Sequence, residues 1–188
     1  MQMFRFLTLL ALVCLSFGFG TQAGIPVQAG DSPAGNFPVP TGIKNMLFYV
    51  QRDPNANTII YELNVNKAGI LDEEEPVKVY WIRYADGGER KDLNYIQRKF
   101  AYGLNTRKLG QDRYELKFVS YSKRPFYLTK GSDGKYHVYA TVGQKQIIMN
   151  RIYVRIEGGT FWVPNVLYVE IKGIDAASGK ETTERFKP

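Results

Sequence analysis

Arg113-Tyr114-Glu115-Leu116-Lys117-Phe118 alternates charged and apolar residues without a break. Successive side chains of a strand point to opposite faces, so Tyr114, Leu116 and Phe118 share one side and Arg113, Glu115 and Lys117 the other. This is the clearest period-two signal in the chain, and it sets the reading of what surrounds it. Downstream, Phe126–Thr129, Tyr136–Val142, Gln146–Ile156, Val166–Ile171 and Thr182–Phe186 have strand character. Upstream, Met46–Gln51, Thr58–Val65 and Val77–Ala85 have it too. Gly131-Ser132-Asp133-Gly134 and Ala177-Ser178-Gly179-Lys180 supply hairpin turns. The sequence predicts an all-β fold, an antiparallel barrel or sandwich of about nine strands, with one short helix. The charged face of residues 113–117 argues against an outer-membrane barrel, whose outward face must be apolar throughout.

The helix is expected over residues 92–102. Leu93, Ile96, Phe100 and Leu104 fall on one arc at spacings of three, four and four. Asp92 is the expected cap, and Gly103 is expected to end the helix in a left-handed conformation. The apolar arc should dock on the sheet. The opposite arc, Lys91, Tyr95, Arg98 and Tyr102, should face outward as a candidate contact for an envelope protein.

The chain has 188 residues, enough for one domain with a substantial core. Arg5, the uncharged run Leu7–Phe19 and the small-residue exit at Ala23 have the order of a secretory signal peptide. Val27-Gln28-Ala29 offers a second exit, so cleavage is expected after Ala23 or Ala29. The run is shorter than the roughly 20 apolar residues a membrane helix needs. Residues 1–23 are thus read as signal, 24–43 as a flexible leader rich in Gly, Pro, Ala and Ser, and 44–188 as one domain. The protein is expected to be exported, to the periplasm or beyond, with no transmembrane segment in the mature chain. Cys14 is the one cysteine and lies inside the apolar run, preceded by Val13 rather than a small residue. The mature chain is therefore expected to lack lipid anchor, disulfides and thiol chemistry.

Charge is uneven. The chain carries 25 Lys and Arg against 18 Asp and Glu, and residues 83–135 alone hold 13 cations and 6 anions. A localised positive field favours anionic partners. For an exported protein these are acidic glycans, lipid head groups or other anionic envelope ligands rather than nucleic acid.

Reactive chemistry is sparse. His137 is the one histidine and is expected on a surface; Asp72-Glu73-Glu74-Glu75 lacks the spacing of a calcium loop. No metal and no cofactor are expected. No serine sits in a Gly-x-Ser-x-Gly setting. A hydrolase using Glu157 and Glu170 is the one enzymatic alternative, and it requires those carboxylates to face each other across a cleft. Arginines stand out instead. Arg83 shares a strand face with Val77, Val79 and Trp81, and Arg151 and Arg155 share one with Ile147, Met149 and Tyr153. They either pair with Glu62, Glu157 or Glu170, or line a cavity suited to carboxylate or phosphate. Gly158–Asn165 carries Phe161 and Trp162 as a second candidate, an aromatic loop.

Three stretches, Val79-Tyr80-Trp81-Ile82-Arg83-Tyr84, Tyr95–Gly103 and Asn150–Gly159, together with the ending Glu184-Arg185-Phe186-Lys187-Pro188, resemble an uncharacterised family of exported bacterial proteins. That family is known as a domain of unknown function. The resemblance covers about residues 45–188 and implies compartment and single-domain extent, with no activity to transfer. The residue-level expectation is a non-catalytic β domain that binds an anionic ligand through Trp81, Arg83, Arg98, Tyr102, Arg151 and Arg155.

Overall fold

The computed structural model describes residues 37–160 and 163–188. The residues read above as a signal peptide, most of those read as a leader, Cys14, Phe161 and Trp162 lie outside the described residues. The chain forms β1 (Met46–Arg52), β2 (Asn55–Leu63), β3 (Val77–Arg83), β4 (Glu89–Asp92), β5 (Leu104–Gly110), β6 (Arg113–Phe118), β7 (Tyr121–Lys130), β8 (Tyr136–Val142), β9 (Lys145–Gly159), β10 (Pro164–Asp175) and β11 (Glu181–Phe186). Nine strands follow one path, β4-β3-β2-β1-β9-β8-β7-β6-β5, and β10 and β11 branch from β9. The path curls into a half-barrel. Every pairing is antiparallel except that of β1 with β9.

Strand β9 is the spine. One of its edges is shared, because Lys145–Ile148 pairs with β8 and Arg151–Val154 pairs with β1. Its other edge carries β10. Two arms, β1–β4 and β5–β8, therefore leave the same edge of one strand and face each other. Phe118 of β6 meets Phe48 of β1 and Tyr61 of β2 edge-on, at ring-centre distances of 6.3 and 5.6 Å. Tyr114, Leu116, Leu128 and Val138 from one arm and Ile59, Tyr61 and Val79 from the other fill the space between. The Tyr114–Leu116 face predicted as core is core.

The sequence did not announce β4 and β5. Both end the path, and both are exposed along nearly their whole length. An edge strand with no buried face has no reason to alternate, and charge there blocks pairing with another chain.

The helix also departs from expectation. It begins at Tyr95, with Asn94 rather than Asp92 as its cap: the Asn94 side chain accepts from the Gln97 N–H, and the Gln97 side chain accepts in return from the Asn94 N–H. After α1 (Tyr95–Gln97) it widens into a π-helical turn, Arg98–Tyr102. The wider turn shifts the phase of the wheel. Tyr102 rotates inward and meets Trp81 edge-on at 5.1 Å. Ile96 and Phe100, expected against the sheet, are 45% and 42% exposed. Gly103 is extended, with φ −65°, rather than left-handed. Glycine is needed there because a Cβ would lie 2.0 Å from the Arg98 carbonyl oxygen.

Candidate functional site

The site begins with a bulge. On β9, Ile147 and Met149 point into the core between the arms. Strand β10 pairs Gly173 with Met149 and Lys172 with Arg151, so Asn150 is an extra residue. Beyond it the faces exchange. Ile152, Val154 and Ile156 now point inward, and Arg151, Tyr153 and Arg155 outward. A second bulge in β10, between Val166 and Tyr168, brings Val166, Val169 and Ile171 to the same inner face despite their uneven spacing. The Asn150 bulge lies where the shared edge of β9 passes from β8 to β1. There the arms diverge, and the inner face is left uncovered.

That uncovered face lines a half-open cavity of about 250 Å³. Ile152, Val154 and Ile156 form one wall, Phe118 and Phe126 another, and Phe186 a third. Ile96 and Phe100 of the helix rim it. Among side chains that approach it, charge comes from Arg52 and Arg124. The Arg124 guanidinium donates to the Glu184 carboxylate and the Thr141 carbonyl and lies over the Phe186 ring. Arg52 is different. Its Nε is buried and has no hydrogen-bond partner among the described residues. Its guanidinium carbon sits 5.8 Å from the centre of the Tyr102 ring. Burial pushes the Tyr102 phenol above its ordinary range, and the Arg52 guanidinium pulls it back down.

A second cavity, about 290 Å³ and polar, lies across Arg52 and Gln97, which line both. Trp81, Arg83 and Lys91 reach it from β3 and β4.

The six residues predicted as a ligand surface divide into three groups. Trp81 and Tyr102 touch each other, and the Trp81 indole N–H donates to Gln97 at 3.3 Å. Arg83 joins Trp81 at the polar cavity while pairing with Asp86 at 2.6 Å. Arg98 pairs with Glu75 of the acidic loop at 3.2 Å. Arg151 and Arg155 lie on the outer face of β9, away from both cavities. Arg151 donates to Gln51 at 2.9 Å, and Arg155 to Asp53 at 3.1 Å. The Tyr153 hydroxyl also donates to Asp53, and Phe37 packs over the Tyr153 ring at 5.5 Å. Burial, then the bond to Asp53, pushes the Tyr153 phenol up to about 12. The partners foreseen for these arginines belong to others: Glu62 to Arg90 and Tyr80, Glu170 to Arg185.

The hydrolase alternative loses its geometry. Glu170 sits opposite Tyr153, and Glu157 lies four residues further along β9, roughly 13 Å at strand rise. Glycosidase carboxylates stand roughly 5–9.5 Å apart. Glu170 is also held by Arg185 at 2.7 Å. Among the described residues no group of three His, Cys, Asp or Glu side chains is placed to hold a metal. His137 is held by Asp133 at 2.9 Å.

The residue missed at the sequence level is Arg52. Phe48, Val50 and Arg52 alternate along β1, so the strand pattern, carried one residue past Gln51, points an arginine inward.

No curated protein and no solved structure matches the chain. A family model described as Domain of unknown function (DUF4833) matches residues 48–185, from the first core residue of β1 to the penultimate residue of β11. The match takes in nearly all of both arms, the spine, the polar cavity and all of the apolar cavity's lining but Phe186 and Pro188, and the chain belongs to that family.

Proposed function

We propose that this domain is a non-catalytic binder of an amphiphile, whose chain lies in the apolar cavity and whose anionic end meets Arg52. The observation that carries the reading is the buried Arg52 Nε, without a hydrogen-bond partner among the described residues, at the wall of a cavity lined mainly by aliphatic and aromatic side chains. A buried donor without a partner costs about 1–3 kcal/mol. A carboxylate or phosphate would meet that cost with a charge-assisted bond. The cavity size, just below the roughly 300–1,000 Å³ of small-molecule pockets, suits a single chain. The exposed apolar rim at Ile96 and Phe100 supports entry from that side.

The setting is part of the proposal. Arg5, the apolar run Leu7–Phe19 and the exits at Ala23 and Ala29 support export, and so a ligand met in the envelope or outside the cell. N-terminal sequencing of the mature protein after fractionation checks this; a cytosolic chain beginning at Met1 rejects it.

The binding reading is tested by displacement of a fluorescent fatty-acid analogue from the purified protein. Val154→Trp, which fills the cavity, and Arg52→Met, which removes the cation, should each lower affinity about tenfold or more. Unchanged affinity in both folded variants rejects the reading.

A further inference from the structure

The polar cavity across Arg52 has a one-sided hydrogen-bond character. Four carboxamides line it, and the oxygen of each is committed to the protein. Asn55 Oδ1 accepts from the Asn57 N–H, Asn57 Oδ1 from the Ala85 N–H, and Asn94 Oδ1 from the Gln97 N–H. Gln97 Oε1 accepts from the Asn94 N–H and from the Trp81 indole. Fixing the oxygens fixes the flips, and the NH2 halves are left as the groups an incoming molecule meets. Arg52, Arg83 and Lys91 add three cations against one carboxylate, Asp92. Arg83 is shared with Asp86, which leaves Lys91 and Arg52 as the cations with most to offer.

A cavity rich in donors and poor in acceptors suits a compact group that carries several acceptor oxygens and negative charge. A phosphate has both, and Arg and Lys are its usual partners. A carboxylate has two oxygens and uses less of this set. The apolar cavity begins on the other side of Arg52 and Gln97, which line both spaces. We infer that the two cavities are one bipartite site, and that the polar one is a phosphate subsite for the head of a single-chain phosphorylated amphiphile. The inference rests on the amphiphile reading above and names the class of ligand.

The experiment compares four probes on the purified full-length mature protein. They are a monoacylglycerol, a fatty acid and a lysophosphatidic acid, all of one chain length, and inorganic phosphate alone. Binding is read by displacement of the fluorescent fatty-acid analogue and, for phosphate, by calorimetry. Lysophosphatidic acid should bind about tenfold tighter than the fatty acid and more tightly still than the neutral lipid. Lys91→Glu, on an exposed edge strand, and Asn57→Asp, which keeps the acceptor for Ala85 but replaces a donor with a charge, should remove that advantage. Their effect on the monoacylglycerol, whose head carries no charge, should be several-fold smaller. Equal affinities for the three lipids overturn the phosphate subsite and the pairing of an anionic end with Arg52, and leave only the placement of the chain in the apolar cavity. Tight fatty-acid binding with no gain from phosphate overturns the head-group class alone. If phosphate binds and no lipid does, the joined site falls together with the amphiphile reading, and a separate anion pocket replaces them. No binding by any probe rejects both proposals.

Discussion

The two halves of β9 are built from similar residues and end differently. Before the Asn150 bulge, Ile147 and Met149 are sealed between the two arms, at 0% and 1% exposure. After it, Val154 and Ile156 are half-buried and face a cavity, and the buried Ile152 borders it. The strand has not become less apolar; it has lost what covered it. Only one arm pairs along each half, and where the arms part the inner face has no opposing layer. Apolar surface left uncovered by the fold is surface that folding did not need, and it is one ground for the proposed binding role. The outer face of the same half teaches the converse. Arg151, Tyr153 and Arg155 have partners in Gln51 and Asp53, so chemically inviting side chains there are already satisfied.

The largest effect should come from the sealed half. Ile147→Ala should cost about 2–5 kcal/mol in denaturant unfolding, because a fully packed site cannot collapse around the loss. Next comes the outer face. Tyr153→Phe removes a donor from the buried Asp53 carboxylate and should cost about 1–2 kcal/mol. It should also change the alkaline limb of stability. The Tyr153 phenol sits at about 12 in the folded protein against 10.0 in the free side chain. Its contribution is intact below pH 10 and is lost as pH rises from 10 to about 12, where the unfolded chain ionises first. The variant should lose stability less steeply across that window, and an unchanged slope would remove Asp53–Tyr153 as its source. Ile156→Ala, at the cavity, should cost about 1 kcal/mol or less while weakening amphiphile binding. If it costs as much as Ile147→Ala, the contrast between the halves fails. Arg52→Met should do least to stability, within about 1 kcal/mol, because the loss of the guanidinium's contact with Tyr102 is offset by removal of a buried Nε that has no hydrogen-bond partner among the described residues.

Nine strands were legible because a half-buried strand must alternate, and alternation survives in sequence. Strands β4 and β5 were not, since neither face of either is covered. The exchange of faces at Asn150 was hidden for a related reason. A bulge inserts one residue without any required residue type, so Arg151 and Arg155 read as companions of Ile147 and Met149 when they lie opposite. The helix arc failed at its second turn, where a π-helical step moved Tyr102 inward and Phe100 outward. Of the six predicted ligand residues, Trp81, Arg83 and Tyr102 stand beside the two cavities described, Arg98 pairs with Glu75 beside a third, and Arg151 and Arg155 bond to Gln51 and Asp53 on the outer face. Arg52 was within reach of the same period-two argument and lay one residue past the expected strand end.

The parallel pairing of β1 with β9 joins residues about a hundred positions apart, Tyr49 to Arg151 among them. Most other pairings are between neighbours in sequence, closed by short turns. Each arm can therefore wind itself as a meander soon after it emerges, while the seam between the arms waits for the spine to arrive and must then be closed against the entropy of a long loop. The arm β5–β8 is joined to β9 by a short turn, so docking β1 on β9 is the step this topology predicts to be slow. The cavity is the last part of the molecule to take shape, since its walls belong to strands that meet only when that seam closes.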